Sequence, residues 1–96
     1  MLQNILDNDI LKSLYFTELI MLDLIVNPYA GRGRAKTDAK KVFEILDANN
    51  VKFAPHYTAR KKHATEIAYN LTLSGAETIV SVGGDGTIHE IVNGII

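Results

Sequence analysis

Short apolar runs alternate with segments of helical periodicity from residue 22 onward. The runs at 22–27 and 78–82 are rich in β-branched residues, which is typical of strands covered on both faces, so both are expected to be central. The run at 51–57 alternates in polarity, and its Pro55 has no N–H to donate, so this strand is expected at an edge. The alternation predicts βαβ units around a parallel sheet with the strand order 2-1-3.

Three amphipathic stripes accompany these strands, at 39–46, at 64–71 and at 88–95. The second stripe ends shortly before Gly75, which suits the end of a helix. The predicted fold class is therefore α/β, a three-layer βαβαβα unit with a parallel sheet over residues 21–96. Because α/β sheets usually contain more than three strands, this unit is expected to be a truncated fragment of a larger domain.

Residues 1–20 are assigned to an N-terminal extension whose structure the sequence leaves open. Apolar residues in the extension fit an amphipathic helix, and the alternative is that it precedes a natural start at Met21. Charged residues interrupt each apolar run, so no membrane span or signal peptide is expected there. The chain contains no cysteine, which fits a reducing compartment, and a cytoplasmic location is expected.

Positive charge is concentrated in the middle of the chain, although the formal net charge is only −1. Residues 24–62 hold nine Lys or Arg residues and three acidic residues, a net charge of +6. Such a block suits phosphate groups or an anionic membrane surface, and nucleic acid is not the expected partner. A solvated surface is the alternative, particularly for Lys40, Lys41 and Lys52.

The run Gly83-Gly84-Asp85-Gly86-Thr87, hereafter the GGDGT segment, lies between the third predicted strand and the third predicted helix. Glycines permit positive φ and close approach of a ligand, and a helix start offers unpaired N–H groups with partial positive charge. This arrangement binds phosphate. A carboxylate beside polyphosphate would be repelled, so Asp85 implies Mg²⁺, water or a ribose hydroxyl between them. The alternative is a glycine-rich turn in which Asp85 caps the helix.

A second glycine-containing turn, at 27–34, follows the first strand, and Thr58 follows the second. Ligands of open parallel sheets bind at the carboxyl ends of the strands, where the strand order reverses, so both glycine turns are expected to flank one crevice. Thr58 suits a hydrogen bond to a base or ribose, or a strand-ending role. The basic residues Arg32, Arg34 and Lys36 could contact phosphate or be solvated, and the sequence favours neither. Neither the dinucleotide fingerprint nor a Walker motif occurs, and the histidines lack zinc-site spacing.

Three motifs of this sequence belong together: Asn27-Pro28-x-Ala30-Gly31-x-Gly33, Thr58, and the GGDGT segment with its extension Ile88-His89-Glu90-Ile91-Val92-Asn93-Gly94. In this order they resemble the diacylglycerol kinase catalytic domain family, in its bacterial lipid kinase and sphingosine kinase-like branch. The resemblance covers residues 21–96 and implies a fold like the N-terminal domain of NAD kinases and diacylglycerol kinases. His89 departs from the Asn often found there. The ATP-contacting residues that the resemblance implies are Asn27, Pro28, Tyr29, Ala30, Gly31, Thr58, Gly83, Gly84, Asp85, Gly86, Thr87, Ile88 and His89.

The resemblance implies transfer of the γ-phosphate of ATP to a lipid hydroxyl such as that of diacylglycerol, with Mg²⁺ as a cofactor and Asp85 as the catalytic residue. The metal ligands are left open. In the family, the lipid pocket and the general base lie in a following β-rich domain that this sequence lacks, so this chain alone is expected to be inactive. Peripheral contact with the inner membrane face and homo-oligomer formation are left open. The alternatives are an NAD kinase-like enzyme and a non-catalytic nucleotide-binding or regulatory module.

Overall fold

The computed structural model describes residues 21–96. The secondary-structure elements are β1 (Leu22–Val26), α1 (Arg34–Ala48), β2 (Phe53–Tyr57), α2 (His63–Leu73), β3 (Ile79–Val82) and α3 (Asp85–Ile95). This order is the βαβαβα order that the sequence predicts. The N-terminal extension, for which the sequence left an amphipathic helix open, lies outside the described residues.

The three strands form a parallel sheet in the order β2-β1-β3, as the sequence predicts. At its carboxyl end, Val26 of β1 is in register with Tyr57 of β2 and Val82 of β3. The expected edge position of β2, which carries Pro55, is confirmed. The expected central position of β3 is wrong for residues 21–96, because β1 is its one neighbouring strand and only Val82 of its residues is buried.

The helices cover opposite faces of the sheet and complete a three-layer arrangement. Leu24 and Val26 face α1 and join a cluster that includes Ala39. Between them in sequence, Ile25 faces the other way and packs with Ala68 and Ile91 of α2 and α3. Leu24, Ile25 and Val26 are all fully buried, which explains why β1 shows a continuous apolar run rather than an alternating one.

The sequence signal at the end of α2 is confirmed. Gly75 has a φ of +89°, a left-handed conformation that glycine adopts without a Cβ clash. Its N–H bonds to the carbonyl oxygen of Thr72, and the N–H of Ala76 bonds to that of Leu71, at 3.1 and 3.0 Å. This Schellman-type ending satisfies two carbonyls of the last turn and directs the chain back toward β3.

Helix α3 packs closely beside α2. The hydroxyl of Thr65 in α2 donates to the carbonyl oxygen of Glu90 in α3, at 2.7 Å. On the outer side of α3, Ile88, Val92 and Ile95 are each about half exposed. Within residues 21–96, no helix combines the length and the apolar character that crossing a membrane requires.

Candidate functional site

The carboxyl ends of the three strands bring Asn27, Thr58 and Gly83 side by side. The N–H of Asn27 donates to the carbonyl oxygen of Val82, and the N–H of Thr58 donates to that of Val26, both at 2.9 Å. Parallel pairing therefore continues for one residue beyond the strands and holds the three following loops together. The strand order reverses between β1 and β3, which is the position where ligands of open α/β sheets bind.

The first loop, residues 27–33, has a tightly wound backbone. The side-chain oxygen Oδ1 of Asn27 accepts from the N–H of Tyr29 at 3.2 Å, and the carbonyl oxygen of Asn27 accepts from the N–H of Ala30 at 3.2 Å. Three consecutive residues, 31–33, then have φ values of +63°, +60° and +89°. Two of the three are glycines, which adopt such values without strain, and Arg32 between them is an uncommon non-glycine example.

The GGDGT segment forms the start of α3. Gly84 occupies the N-cap position in an extended conformation, and its carbonyl oxygen accepts from the N–H groups of Thr87 and Ile88 at 3.1 and 3.2 Å. The alternative role of Asp85 as a helix cap is wrong, since no side chain caps this helix. The amides of Asp85 and Gly86 open the helix and have no hydrogen-bond partner within residues 21–96.

The sequence suggested that the glycines of the segment are needed for a positive φ. Neither Gly83 nor Gly84 has a positive φ, so these glycines have other roles. A Cβ at Gly83 would lie 2.5 Å from the hydroxyl oxygen of Thr87, so this glycine is required for close packing. A Cβ at Gly84 or Gly86 would meet no atom within 4 Å. Packing within the described residues therefore leaves the backbone at Gly84 and Gly86 open to a ligand.

The two glycine loops flank a shared concavity, as the sequence predicts. This crevice, of about 440 Å³, lies between α1 and β3 and is lined by Ala30 and Gly31 of the first loop and by Gly83 and Gly84 of the segment. The backbone from Gly83 to Gly86 is exposed, and so are Ile88 and His89. Residues 83–86 of the GGDGT segment therefore face solvent at the crevice, whereas Thr87 is buried.

Three predicted contact residues do not line the crevice, and they differ in exposure. Tyr29 is 75% exposed, whereas Thr58 and Thr87 are only 7% and 4% exposed. Thr87 points between the two loops, where its hydroxyl oxygen lies 3.4 Å from the Nδ2 of Asn27. The direct ATP contacts predicted for all thirteen residues remain predictions, and the buried threonines offer a ligand little surface.

A groove of about 700 Å³ between α2 and α3 lies beside the segment, and sequence reasoning did not predict it. It combines two kinds of side chain from parts of the sequence that are far apart. The basic run Arg60, Lys61 and Lys62 lines one end, while His89 and Glu90 line the side formed by α3. The basic run was visible in the sequence, but its juxtaposition with α3 arises only from helix packing.

The loop before α2 is organised by local contacts. The Nδ1 of His63, the first residue of α2, accepts from the N–H of Ala59 at 2.8 Å. Arg60 forms an exposed ion pair with Glu66. The hydrogen bond from Arg60, together with its positive charge, lowers the pKa of Glu66 below its usual value.

No cluster of three or more potential metal-binding His, Cys, Asp or Glu side chains occurs within residues 21–96. Asp85 is exposed and is the acidic residue in the first turn of α3. Mg²⁺ is usually held by one or two carboxylates together with water and substrate phosphates rather than by a complete protein cage. A single carboxylate at this position therefore fits Mg²⁺ that is shared with a polyphosphate.

Comparisons with known proteins show which family the chain belongs to. A family model of the diacylglycerol kinase catalytic domain matches residues 21–96. Over 74 residues, the chain is 39% identical to Sphingosine kinase 2 of Homo sapiens, covering 76% of this chain and 11% of that protein. Over 72 residues it is 33% identical to the Diacylglycerol kinase of Bacillus subtilis, covering 75% of this chain and 24% of that protein.

The solved structures include a similar protein from Bacillus anthracis str. Sterne, described as a candidate diacylglycerol kinase. It superposes with a TM-score of 0.64 at 31% sequence identity, covering 78% of this chain and 26% of its own. The chain thus spans between about a tenth and a quarter of the length of these similar proteins.

Proposed function

Because the chain belongs to the diacylglycerol kinase catalytic domain family, we propose that it forms the ATP-binding part of a lipid kinase. The observation that carries the proposal is the GGDGT segment, whose unpartnered amides of Asp85 and Gly86 begin a helix beside an open crevice. The first loop lines the same crevice. Two glycine-rich loops and one helix start thus converge where a polyphosphate would lie.

The chemistry of the helix start supports phosphate as the ligand. Its free N–H groups and the helix dipole favour an anion by about 0.3–1 kcal/mol when exposed, and by about 2 kcal/mol when partly buried. The open space at Gly84 and Gly86 lets phosphate oxygens approach the backbone. Arg32 of the neighbouring loop and Arg34 at the start of α1 are exposed and form no salt bridge within residues 21–96, so they add positive charge near the crevice.

We place the nucleoside of ATP in the groove between α2 and α3. Its volume of about 700 Å³ falls in the range of about 300–1,000 Å³ that is typical of small-molecule sites. The groove reaches His89, which is four residues beyond Asp85 along α3, so one nucleotide would span both features. Thr58, at the end of β2, lies two residues before the basic run at the mouth of the groove.

Asp85 is the proposed catalytic residue. Its exposed carboxylate at the first position of α3 would hold Mg²⁺ together with the polyphosphate. When bound, Mg²⁺ neutralises charge on the phosphates during phosphoryl transfer. The protein supplies alignment through the glycine loops, and such alignment accounts for much of the catalysis in this class of reaction.

A lipid hydroxyl is the proposed acceptor, because the similar proteins include kinases named for sphingosine and for diacylglycerol. Since the chain spans at most about a quarter of those proteins, we propose that the lipid binds through a further domain and that these 96 residues alone do not turn over. Peripheral contact with the inner membrane face, through the basic region at 24–62, belongs to the same proposal. A cytoplasmic location also stays a prediction.

The nucleotide-binding part of the proposal is tested by the thermal stability of the 96-residue chain. A ligand that binds only the folded state at tenfold above its Kd stabilises it by about 1.4 kcal/mol. Millimolar Mg-ATP should therefore raise the Tm, adenosine should raise it less, and ATP with EDTA should give an intermediate effect. An unchanged Tm with each of these ligands would contradict nucleotide binding. Labelled ATP with diacylglycerol or sphingosine, offered to a full-length kinase that contains this sequence, tests the acceptor.

A further inference from the structure

Three of the contacts of Asn27 orient this residue where the two glycine loops meet. Its backbone N–H donates to Val82 at 2.9 Å, and its Oδ1 accepts from the N–H of Tyr29 at 3.2 Å. Its Nδ2 lies 3.4 Å from the hydroxyl oxygen of Thr87, a long contact between residues 60 positions apart. The N–H of Tyr29 can only donate, so it fixes the amide oxygen toward the first loop and turns the amide nitrogen toward Thr87.

Thr87 fills the space between Asn27 and the turn at Gly83. Its side chain is almost completely buried, at 4% exposure for the residue. A Cβ added at Gly83 would lie 2.5 Å from the Thr87 hydroxyl oxygen and 2.9 Å from its Cβ, which shows that Thr87 packs directly on the backbone of the turn. One side chain therefore contacts both the turn at Gly83 and the amide that closes the first loop.

We propose that Asn27 and Thr87 are positioning residues that fix the distance and orientation between the first loop and the GGDGT segment. The inference deepens the proposed ATP site and rests on it for its effect on nucleotide binding. Thr87 acts through Asn27 and Gly83, because its burial leaves it little surface for the nucleotide. Preorganised amides bind developing charge only when they are held in place, and a displacement of about 1 Å is costly.

Thr87→Val tests the contact without nucleotide, because valine keeps the shape of threonine and removes the hydroxyl. In the nucleotide-free chain, amide hydrogen exchange at Tyr29 and Ala30 should accelerate several-fold, while exchange at Ile25 in the core stays unchanged. Thr87→Ser keeps the hydroxyl and should restore slow exchange in the first loop. Unchanged exchange at Tyr29 and Ala30 in Thr87→Val would overturn the proposal, whether or not the chain binds ATP.

Should Thr87→Val fail to fold, Asn27→Ala provides the reciprocal measurement. It removes the partner from a partly exposed loop and should shift the amide resonances of residues 83–87. A spectrum that changes only within residues 26–31 would overturn the proposal.

A double-mutant cycle on Mg-ATP affinity tests the role in binding. Removing the contact should weaken Mg-ATP affinity about 3- to 10-fold, the range expected for the net contribution of one hydrogen bond. Thr87→Val should weaken binding by that factor in the wild-type background and by less than twofold in the Asn27→Ala background. Equal losses in both backgrounds would overturn the positioning pair. If wild-type chain binds no Mg-ATP, the proposed function fails, and the exchange experiment still decides whether the loops are coupled.

Discussion

A methyl group placed on Gly94 of α3 would lie 2.3 Å from the carbonyl oxygen of Thr65 in α2. The same methyl group would lie 2.9 Å from the Cβ of Ala68. The two helices therefore touch through their backbones at this point, and the hydroxyl of Thr65 bonds to Glu90 one turn earlier in α3. This contact holds the helix whose first residues form the proposed phosphate site.

Gly94→Ala should destabilise the chain by about 1–3 kcal/mol, because the added methyl group meets a carbonyl oxygen that cannot move without shifting α2. A loss of stability would point to the clash, because alanine by itself stabilises a helix interior by about 1 kcal/mol relative to glycine. Urea unfolding of the variant and of the wild-type chain measures the change in the free energy of unfolding. Gly86→Ala is the matched control in the same helix, where a Cβ has no neighbour within 4 Å and stability should not fall. A Gly94→Ala variant more stable than wild type would contradict the contact.

Gly84→Val should abolish Mg-ATP binding while lowering the free energy of unfolding only by the cost of a poorer N-cap, about 1 kcal/mol. Its φ of −100° suits a β-branched residue, and the side chain would project into open space rather than into the protein. That space is where the phosphates are proposed to lie. Isothermal calorimetry measures the affinity, and Gly84→Ala should give a smaller loss. Wild-type affinity in Gly84→Val would show that the segment does not face the nucleotide.

Asp85→Asn should lower phosphoryl transfer about 10²-fold in a full-length kinase that carries this sequence, while leaving folding intact. The carboxylate is exposed and makes no hydrogen bond to another side chain within residues 21–96, so its loss should cost only its interaction with the helix dipole, about 0.3–1 kcal/mol. In the 96-residue chain, the gain in ATP affinity on adding Mg²⁺ should shrink. Asp38→Asn, which removes the charge of an acid that itself lines the crevice, is the charge-matched control. Equal effects of the two substitutions would show that Asp85 acts only through its negative charge and not as a specific Mg²⁺ ligand.

Glu66→Gln should lower the Tm slightly at pH 7, by no more than a few degrees, because exposed ion pairs contribute little. The pKa of Glu66 is lower in the folded chain than in the unfolded chain, so the pair stabilises above the usual Glu pKa. This stabilisation is lost as the pH falls through the lowered pKa. Thermal melts of both proteins across this range should therefore converge in acid. A difference that stays constant with pH would exclude the ion pair as its cause.

The local sequence pattern predicted most of the strands, helices and helix ends. Strands and helices have different periods of apolar residues, and Gly75 marks the end of α2 through a conformation that favours glycine. The carboxyl ends of parallel strands share one edge, so the pattern also predicted that the turns after β1 and β3 meet at one crevice. The family match over residues 21–96 confirms the resemblance carried by the same motifs.

The tertiary structure decided features that depend on residues far apart in sequence. The apolar run of β3 resembles that of β1, yet within residues 21–96 β3 pairs with β1 alone, and this pairing is a property of the sheet rather than of the run. The glycine at 83 is explained by Thr87 and not by its own φ, and Thr87 is held toward Asn27, 60 residues away. The groove joining the basic run before α2 to His89 likewise exists only because the two helices pack backbone to backbone. Local periodicity fixes secondary structure through short-range sterics and hydrogen bonding, whereas the spacing of the loops and the shape of the site come from packing that no single segment encodes.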